Sequence, residues 1–171
     1  MVSYLNESEE YSGVDCTQLE KYLKAGMWKM ADLETRKLVY DACGVSPNDP
    51  RNSPSISQIP APDLLRIDGL WVKYSRGRFG FSVQQAIWQP LEKKFYNKTD
   101  AWSAFGDRVG WRINNLLKRN YWKPYKELSF EANAPMGHLP HLGDKFGIVT
   151  VEAFTQMIAW CNSQQAAEKQ L

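Results

Sequence analysis

Between Leu19 and Ala42 the apolar residues recur at three- and four-residue steps, the spacing that stacks side chains along one face of an α-helix. Leu19, Tyr22 and Leu23 define a short first stripe, with Asp15 or Thr17 placed to cap its start and Gly26 placed where it must stop. Trp28, Ala31, Thr35, Leu38, Val39 and Ala42 define a second helix from about Trp28 to Ala42, with Gly44 as its stop. A helical hairpin is expected over this part of the chain.

The pattern then fails. From Val45 to Pro62, Pro47, Pro50, Pro54, Pro60 and Pro62 stand among Ser and Asn, and proline can neither continue a helix interior nor donate to an inner strand. This reads as a long loop carrying Val45, Ile56 and Ile59. Loops of this length inside a compact domain are usually functional or disordered, and the spaced apolar residues favour function.

From Asp63 the helical stripe returns in Leu64, Ile67, Leu70 and Trp71, breaks at Gly77 and Gly80, and resumes over F-S-V-Q-Q-A-I-W. The two glycines mark a tight corner in which Phe79 and Phe81 pack. Pro90 is expected to halt or kink that segment. Thr99 or Asp100 then caps a helix through Trp102, Phe105 and Val109, with Leu116 and Leu117 at its far limit. Trp71, Trp102 and Trp111 sit on apolar faces and are assigned to the core, whereas Trp122 opens an irregular segment, Tyr121 to Leu142, that becomes rich in Pro and Gly. Val151 to Gln165 closes the chain as an amphipathic helix with Phe154, Met157, Ile158 and Cys161 inward. The reading is one mostly helical domain over 15–165 with two long loops, a polar tail at 1–14 and a frayed end at 166–171.

Composition narrows the function. A balance of 21 Lys+Arg against 19 Asp+Glu, net +2, is too near neutrality for a nucleic-acid footprint. No stretch approaches the roughly 18 to 20 apolar residues of a spanning helix, and the acidic first residues do not read as a signal sequence. Cys16, Cys43 and Cys161 are odd in number and widely spaced, as expected of reduced thiols. There is no Gly-rich phosphate loop, two-histidine metal motif or triad spacing, and Asp63 and Asp68 read as a cap and a structural acceptor. A binding protein without chemistry of its own is expected. The aromatic residues, 13% of the chain, supply both core volume and flat contact surface.

W-K-M-A-D-L-E-T-R (Trp28 to Arg36), P-A-P-D-L-L-R-I-D-G-L-W-V-K-Y-S (Pro60 to Ser75), G-R-F-G-F-S-V-Q (Gly77 to Gln84), F-G-D-R-V-G-W-R (Phe105 to Arg112) and A-P-M-G-H-L-P (Ala134 to Pro140) follow one another in order. In these blocks, from about Tyr22 onward, the chain resembles the "genomes uncoupled four" family. The resemblance implies an all-α domain of about seven or eight helices, shaped like a cupped hand. It implies non-covalent binding of protoporphyrin IX or Mg-protoporphyrin IX, and stimulation of magnesium chelatase in chlorophyll biosynthesis through that enzyme's large porphyrin-handling subunit. It places the protein in a cyanobacterial cytoplasm, or in a plastid stroma once a transit peptide is removed; the absence of a transit segment favours the former. Peripheral association with a membrane is compatible with it.

The resemblance also puts the macrocycle between two loops, here Val45 to Pro62 and Tyr121 to Val149. A porphyrin is a flat apolar disc with two propionates at one edge, so its site needs an apolar trough and cations at the rim. Val45, Ile56, Ile59, Trp122, Tyr125, Leu142 and Phe146 are the expected trough, with Arg36 and Lys145 at the rim. Arg36 stands where resembling proteins carry a binding arginine, and a guanidinium meets a carboxylate bidentately; the plain alternative is a solvated helix arginine. Related proteins place arginines shortly after G-H-L-P, whereas this chain has Lys145, Phe146 and Val149. That departure motivates the alternative of a paralogous sensor or interaction module with altered pigment binding, for example of a bilin, or none. His138 reads as hydrogen-bonded within the fold ahead of axial ligation, and His141 as a surface residue ahead of a ligand.

Overall fold

The computed structural model describes residues 13–46, 58–115 and 118–142, together with six positions between 153 and 160. The helical hairpin forms as its stripes predict: α1 (Thr17–Lys24) and α2 (Trp28–Ala42) turn at Gly26, and α2 stops at Gly44. Asp15 Oδ1 accepts from the Thr17 N–H at 2.9 Å, satisfying an otherwise orphaned first-turn donor of α1. Both helices pack on α3 (Ala61–Ser75), and Leu19, Leu23, Ala31, Leu38, Val39, Leu64, Ile67 and Trp71 are buried between them. Trp71 brings a polar atom into this core, and it is met: Nε1 donates to Thr35 Oγ1 at 2.9 Å, while that hydroxyl donates to the Ala31 carbonyl at 2.8 Å.

Helix α3 starts two residues before Asp63, so the Pro-rich loop gives way to helix at Ala61 rather than running through Pro62. Proline is accepted in a first turn because the N–H it lacks has no intrahelical partner there. At the other end Arg76 takes the left-handed cap (φ 56°), a place usually held by glycine, while the Gly77 N–H closes back on the Val72 carbonyl at 2.8 Å. A side chain in that conformation costs about 1 kcal/mol.

Helix α4 (Phe81–Lys94) has no cap side chain of its own. Asp68 of α3 takes over, its Oδ1 accepting the Ser82 N–H at 3.0 Å. A Cβ at Gly80 (φ 136°) would lie 2.8 Å from that oxygen, so only glycine admits this cap. Pro90 does not halt α4, which continues to Lys94 with Leu91 buried.

Helix α5 (Lys98–Val109) is capped by Asn97, whose Oδ1 accepts the Thr99 N–H at 2.8 Å, not by Thr99 or Asp100. It ends at Val109 with Gly110 as its cap; Leu116 and Leu117 lie outside the described residues. In its place β1 (Arg112–Asn115) and β2 (Lys118–Trp122) form an antiparallel hairpin pairing Arg112 with Trp122 and Ile113 with Tyr121. The competing force is Trp111: its ring is buried and its Nε1 donates to the His138 carbonyl at 2.8 Å, an anchor that turns the chain off the helix axis. Trp88, Trp102, Phe105 and Trp111 form a second aromatic core between α4 and α5.

A 3-10 turn (Tyr125–Glu127) leads into a strap, residues 128–142, that crosses both cores. The Gly137 N–H donates to the Arg78 carbonyl at 2.8 Å and the Gly80 N–H to Leu139 at 3.0 Å. Buried Gln84 donates through Nε2 to the carbonyls of Gly137 (3.0 Å) and Pro140 (2.8 Å). The F-G-F-S-V-Q and A-P-M-G-H-L-P blocks are thus two halves of one joint. The described positions between 153 and 160 are helical; Phe154 stacks on Phe81 at 3.7 Å, and Met157 packs on the first core, as expected. Ile158 and Cys161 lie outside the described residues. The described body is mostly helical, as the pattern predicts, with the hairpin as an addition. Among the described residues no helix is long and apolar enough to cross a membrane.

Candidate binding site

Asp32 lies on the buried face of α2, fully enclosed. Its Oδ2 accepts the Tyr125 hydroxyl at 2.7 Å, and its Oδ1 accepts the backbone N–H of His141 at 2.6 Å and of Leu142 at 3.3 Å. Burial pushes the carboxyl above the usual carboxylate range; the three hydrogen bonds and the charge of Arg36, one turn on, pull the other way. One acid therefore fastens the 3-10 turn and the end of the strap to α2. It also holds Leu142 at φ 64°, a left-handed conformation that a leucine takes only under constraint.

An open, largely apolar groove of about 390 Å³ lies between the start of α3 and the closing helical stretch. Ile59 and Ala61, at the start of α3, form one wall; Ala153, Gln156, Met157 and Trp160 of the closing helical stretch form the other. Trp160 is 57% exposed, a large apolar surface presented to solvent. Ile59 itself is buried in the first core, which also holds Leu142 and Phe154, with Val45 packed against that core.

Of the residues expected to form a trough, the structure unites Val45, Ile59 and Leu142 in that one cluster, and joins Tyr125 to Leu142 through Asp32. Arg36 is half-buried on α2, one turn from Asp32. Trp122 goes elsewhere: it ends a strand instead of opening an irregular segment, and its ring stacks on Trp102 of the second core at 5.4 Å. Gly106 makes room for it, since a Cβ there would meet the Trp122 ring at 2.5 Å. Ile56, Lys145 and Phe146 lie outside the described residues.

His138 is a fold histidine. Buried at 1% exposure, its Nδ1 hydrogen-bonds the Val109 carbonyl and its Nε2 accepts the Ser129 N–H at 3.1 Å. With both nitrogens engaged and its pKa lowered by burial, it has no lone pair to offer a metal. His141 is half-buried, edge-on to Trp111 with ring centroids 4.5 Å apart. Among the described residues no group of three His, Cys, Asp or Glu could hold a metal ion.

Asp32, Met157 and Trp160 were not singled out as binding residues by the sequence. The aromatic and the methionine sit in the closing amphipathic stretch, which reads as core; Asp32 shows only as a polar residue on an otherwise apolar face between Ala31 and Thr35. That interruption was the available signal, because an acid in a buried stripe needs donors from elsewhere.

The chain matches the family described as GUN4-like over residues 9–158. A Ycf53-like protein of Synechocystis is 30% identical over 86% of this chain and 60% of its own length. A protein of Arabidopsis thaliana named a chloroplastic tetrapyrrole-binding protein is 34% identical over 71% of this chain and 46% of its own. An uncharacterised ycf53 protein of Porphyra purpurea is 36% identical over 63% of this chain and 40% of its own. The chain thus spans 40% to 60% of the length of these curated relatives. Among solved structures, ligand-free Arabidopsis GUN4 superposes with a TM-score of 0.63 at 28% identity, covering 84% of this chain and 93% of that one. GUN4 from Chlamydomonas reinhardtii gives 0.64 at 28% identity, covering 85% and 89%.

Proposed function

Because this chain belongs to the GUN4-like family, we propose that it binds a tetrapyrrole along the apolar groove between Ile59 and Trp160, without catalysing a reaction on it. The observation that carries this reading is the groove itself: an open, largely apolar surface of about 390 Å³ whose Ile59 wall belongs to the buried first core and whose Trp160 wall is exposed to stack on a flat ring. Burying a few hundred Å² of macrocycle at roughly 25 cal/mol per Å² contributes on the order of 10 kcal/mol before the cost of ordering is subtracted, enough for micromolar or tighter binding. Arg36 meets a propionate at the rim, and Lys145 and Phe146 complete the site from the segment after the strap.

The species proposed are protoporphyrin IX and Mg-protoporphyrin IX, delivered to or sensed by magnesium chelatase through its large subunit, in a cyanobacterial cytoplasm or plastid stroma. The name of the Arabidopsis relative supports the ligand class. Titration of the protein with either porphyrin should quench tryptophan fluorescence to saturation, Trp160 being exposed beside the groove. Met157→Glu, which places a charge in the groove, should abolish the quench while the fold survives. Absence of quenching in the unaltered protein overturns the reading. A second reading, a paralogue with altered pigment choice, is favoured by Lys145, Phe146 and Val149 standing where related proteins carry arginines. A titration panel that includes a linear bilin separates the two, the second requiring the bilin to bind more tightly than either porphyrin.

A further inference from the structure

A second cavity of about 390 Å³ opens at the corner between α3 and α4, lined by none of the groove residues. Its floor is aromatic: Trp28 and Phe79 are buried there edge to face, with centroids 5.3 Å apart. Its rim carries Arg76 and Arg78, and among the described residues no carboxylate lines it. The other polar groups on its walls are already used. The Tyr74 hydroxyl donates to Glu20 at 2.6 Å, and the Ser75 hydroxyl accepts the Phe79 N–H at 2.8 Å. Arg78 donates through Nη1 to the Ala134 carbonyl at 3.0 Å, which fixes its guanidinium at the edge.

Arg76 is different. It is exposed, makes no ion pair among the described residues, and occupies the left-handed cap although a glycine there would relieve the backbone. A cation retained at a conformational cost, over an aromatic floor and beside a cation already fixed, marks a site for an anionic group joined to an apolar one. Met136, at 55% exposure, hangs over the same cavity, a flexible side chain of the kind that adapts to protein partners. With Arg76 and Met136 both open to solvent, a ligand here stays half-exposed, as a docked peptide does and an enclosed metabolite does not.

We propose that this corner is a docking site for an acidic segment of a partner protein, which sets a large apolar side chain on Trp28 and Phe79 and its carboxylates against Arg76 and Arg78. The site is independent of the groove and of what fills it.

The test uses fluorescence anisotropy of a fluorescein-labelled peptide of alternating Glu-Leu and Glu-Phe pairs, beside versions with Gln or Lys for Glu. The acidic peptide should bind at least tenfold more tightly than the Gln version, and should weaken as salt rises. Arg76→Gly should weaken it at least fivefold while raising the melting temperature by about 2 to 4 °C, because glycine suits the left-handed cap. Porphyrin quenching should be the same in both proteins. Equal binding of the acidic and Gln peptides, or undiminished binding by Arg76→Gly, overturns the assignment. So does a fall in melting temperature, which would make Arg76 a structural residue. Arg76-dependent binding to phosphatidylserine vesicles without peptide binding would assign the corner to a membrane surface and overturn it equally.

Discussion

Removing the Asp32 carboxylate tests whether one buried acid sets the shape of the site. Asp32→Ala removes the acceptor that the Tyr125 hydroxyl and the His141 and Leu142 N–H groups share. A fully buried donor left unsatisfied costs about 1 to 3 kcal/mol; Tyr125 and His141 are half-buried and recover part of that from water, and the 3.3 Å bond from buried Leu142 is the longest of the three. Relief of the carboxyl's own desolvation offsets part of this, so a net loss of about 3 to 5 kcal/mol is expected, a large share of the 5 to 15 kcal/mol typical of a domain. Asp32→Asn keeps an oxygen for the two backbone donors and should cost about 1 to 2 kcal/mol. The two variants also separate hydrogen bonding from charge. Burial raises the folded pKa of Asp32 above its unfolded value, so the group's contribution is full below the unfolded pKa and declines as pH rises through the folded one. Asp32→Asn has no such decline. Urea unfolding followed by tryptophan fluorescence, repeated from pH 4 to 8, reads both effects. An Asp32→Ala cost below about 1 kcal/mol, or parallel pH profiles for Asp32→Asn and the unaltered protein, would refute the reasoning.

Gly106→Ala should push the Trp122 ring off Trp102, lowering stability by about 1 to 3 kcal/mol in thermal melts and shifting tryptophan emission to the red, because its Cβ falls 2.5 Å from that ring. The folded pKa of His138 lies below its unfolded value, so its contribution is present above pH about 6.5 and is lost as pH falls below that. His138→Gln should flatten the stability profile below pH about 6.5 in urea titrations. Arg36→Ala should weaken porphyrin binding by about 1 to 3 kcal/mol with an unchanged melting temperature, as loss of one charge-assisted contact requires. Unchanged affinity in the quenching titration would remove Arg36 from the rim.

The helices were legible wherever an apolar stripe had enough turns to declare its period, as from Trp28 to Ala42 and from Leu64 to Trp71. What escaped was decided at a distance. The chain leaves α5 at Gly110 because Trp111 is anchored to His138, 27 residues on, and nothing local to R-I-N-N reports that bond. Trp122 was misplaced for the same reason: its neighbours are Lys118 to Tyr121 in sequence but Trp102 and Gly106 in space. Val45, Ile59 and Leu142 were legible as apolar residues in loops, and their meeting in one cluster follows from the strap being tied to α2. Asp32, which does the tying, looked like any helix acid until its partners 93, 109 and 110 residues away were in view.

Those separations bear on the order in which the chain can assemble. At a synthesis rate of about 5 to 20 residues per second, α2 exists for several seconds before Leu142 has been joined to the chain. Through that interval the Asp32 carboxylate has no donor from the strap and remains hydrated, so the face of α2 that carries it resists premature burial. The same acid that closes the fold at the end would thus keep its own helix open to water until the strap arrives.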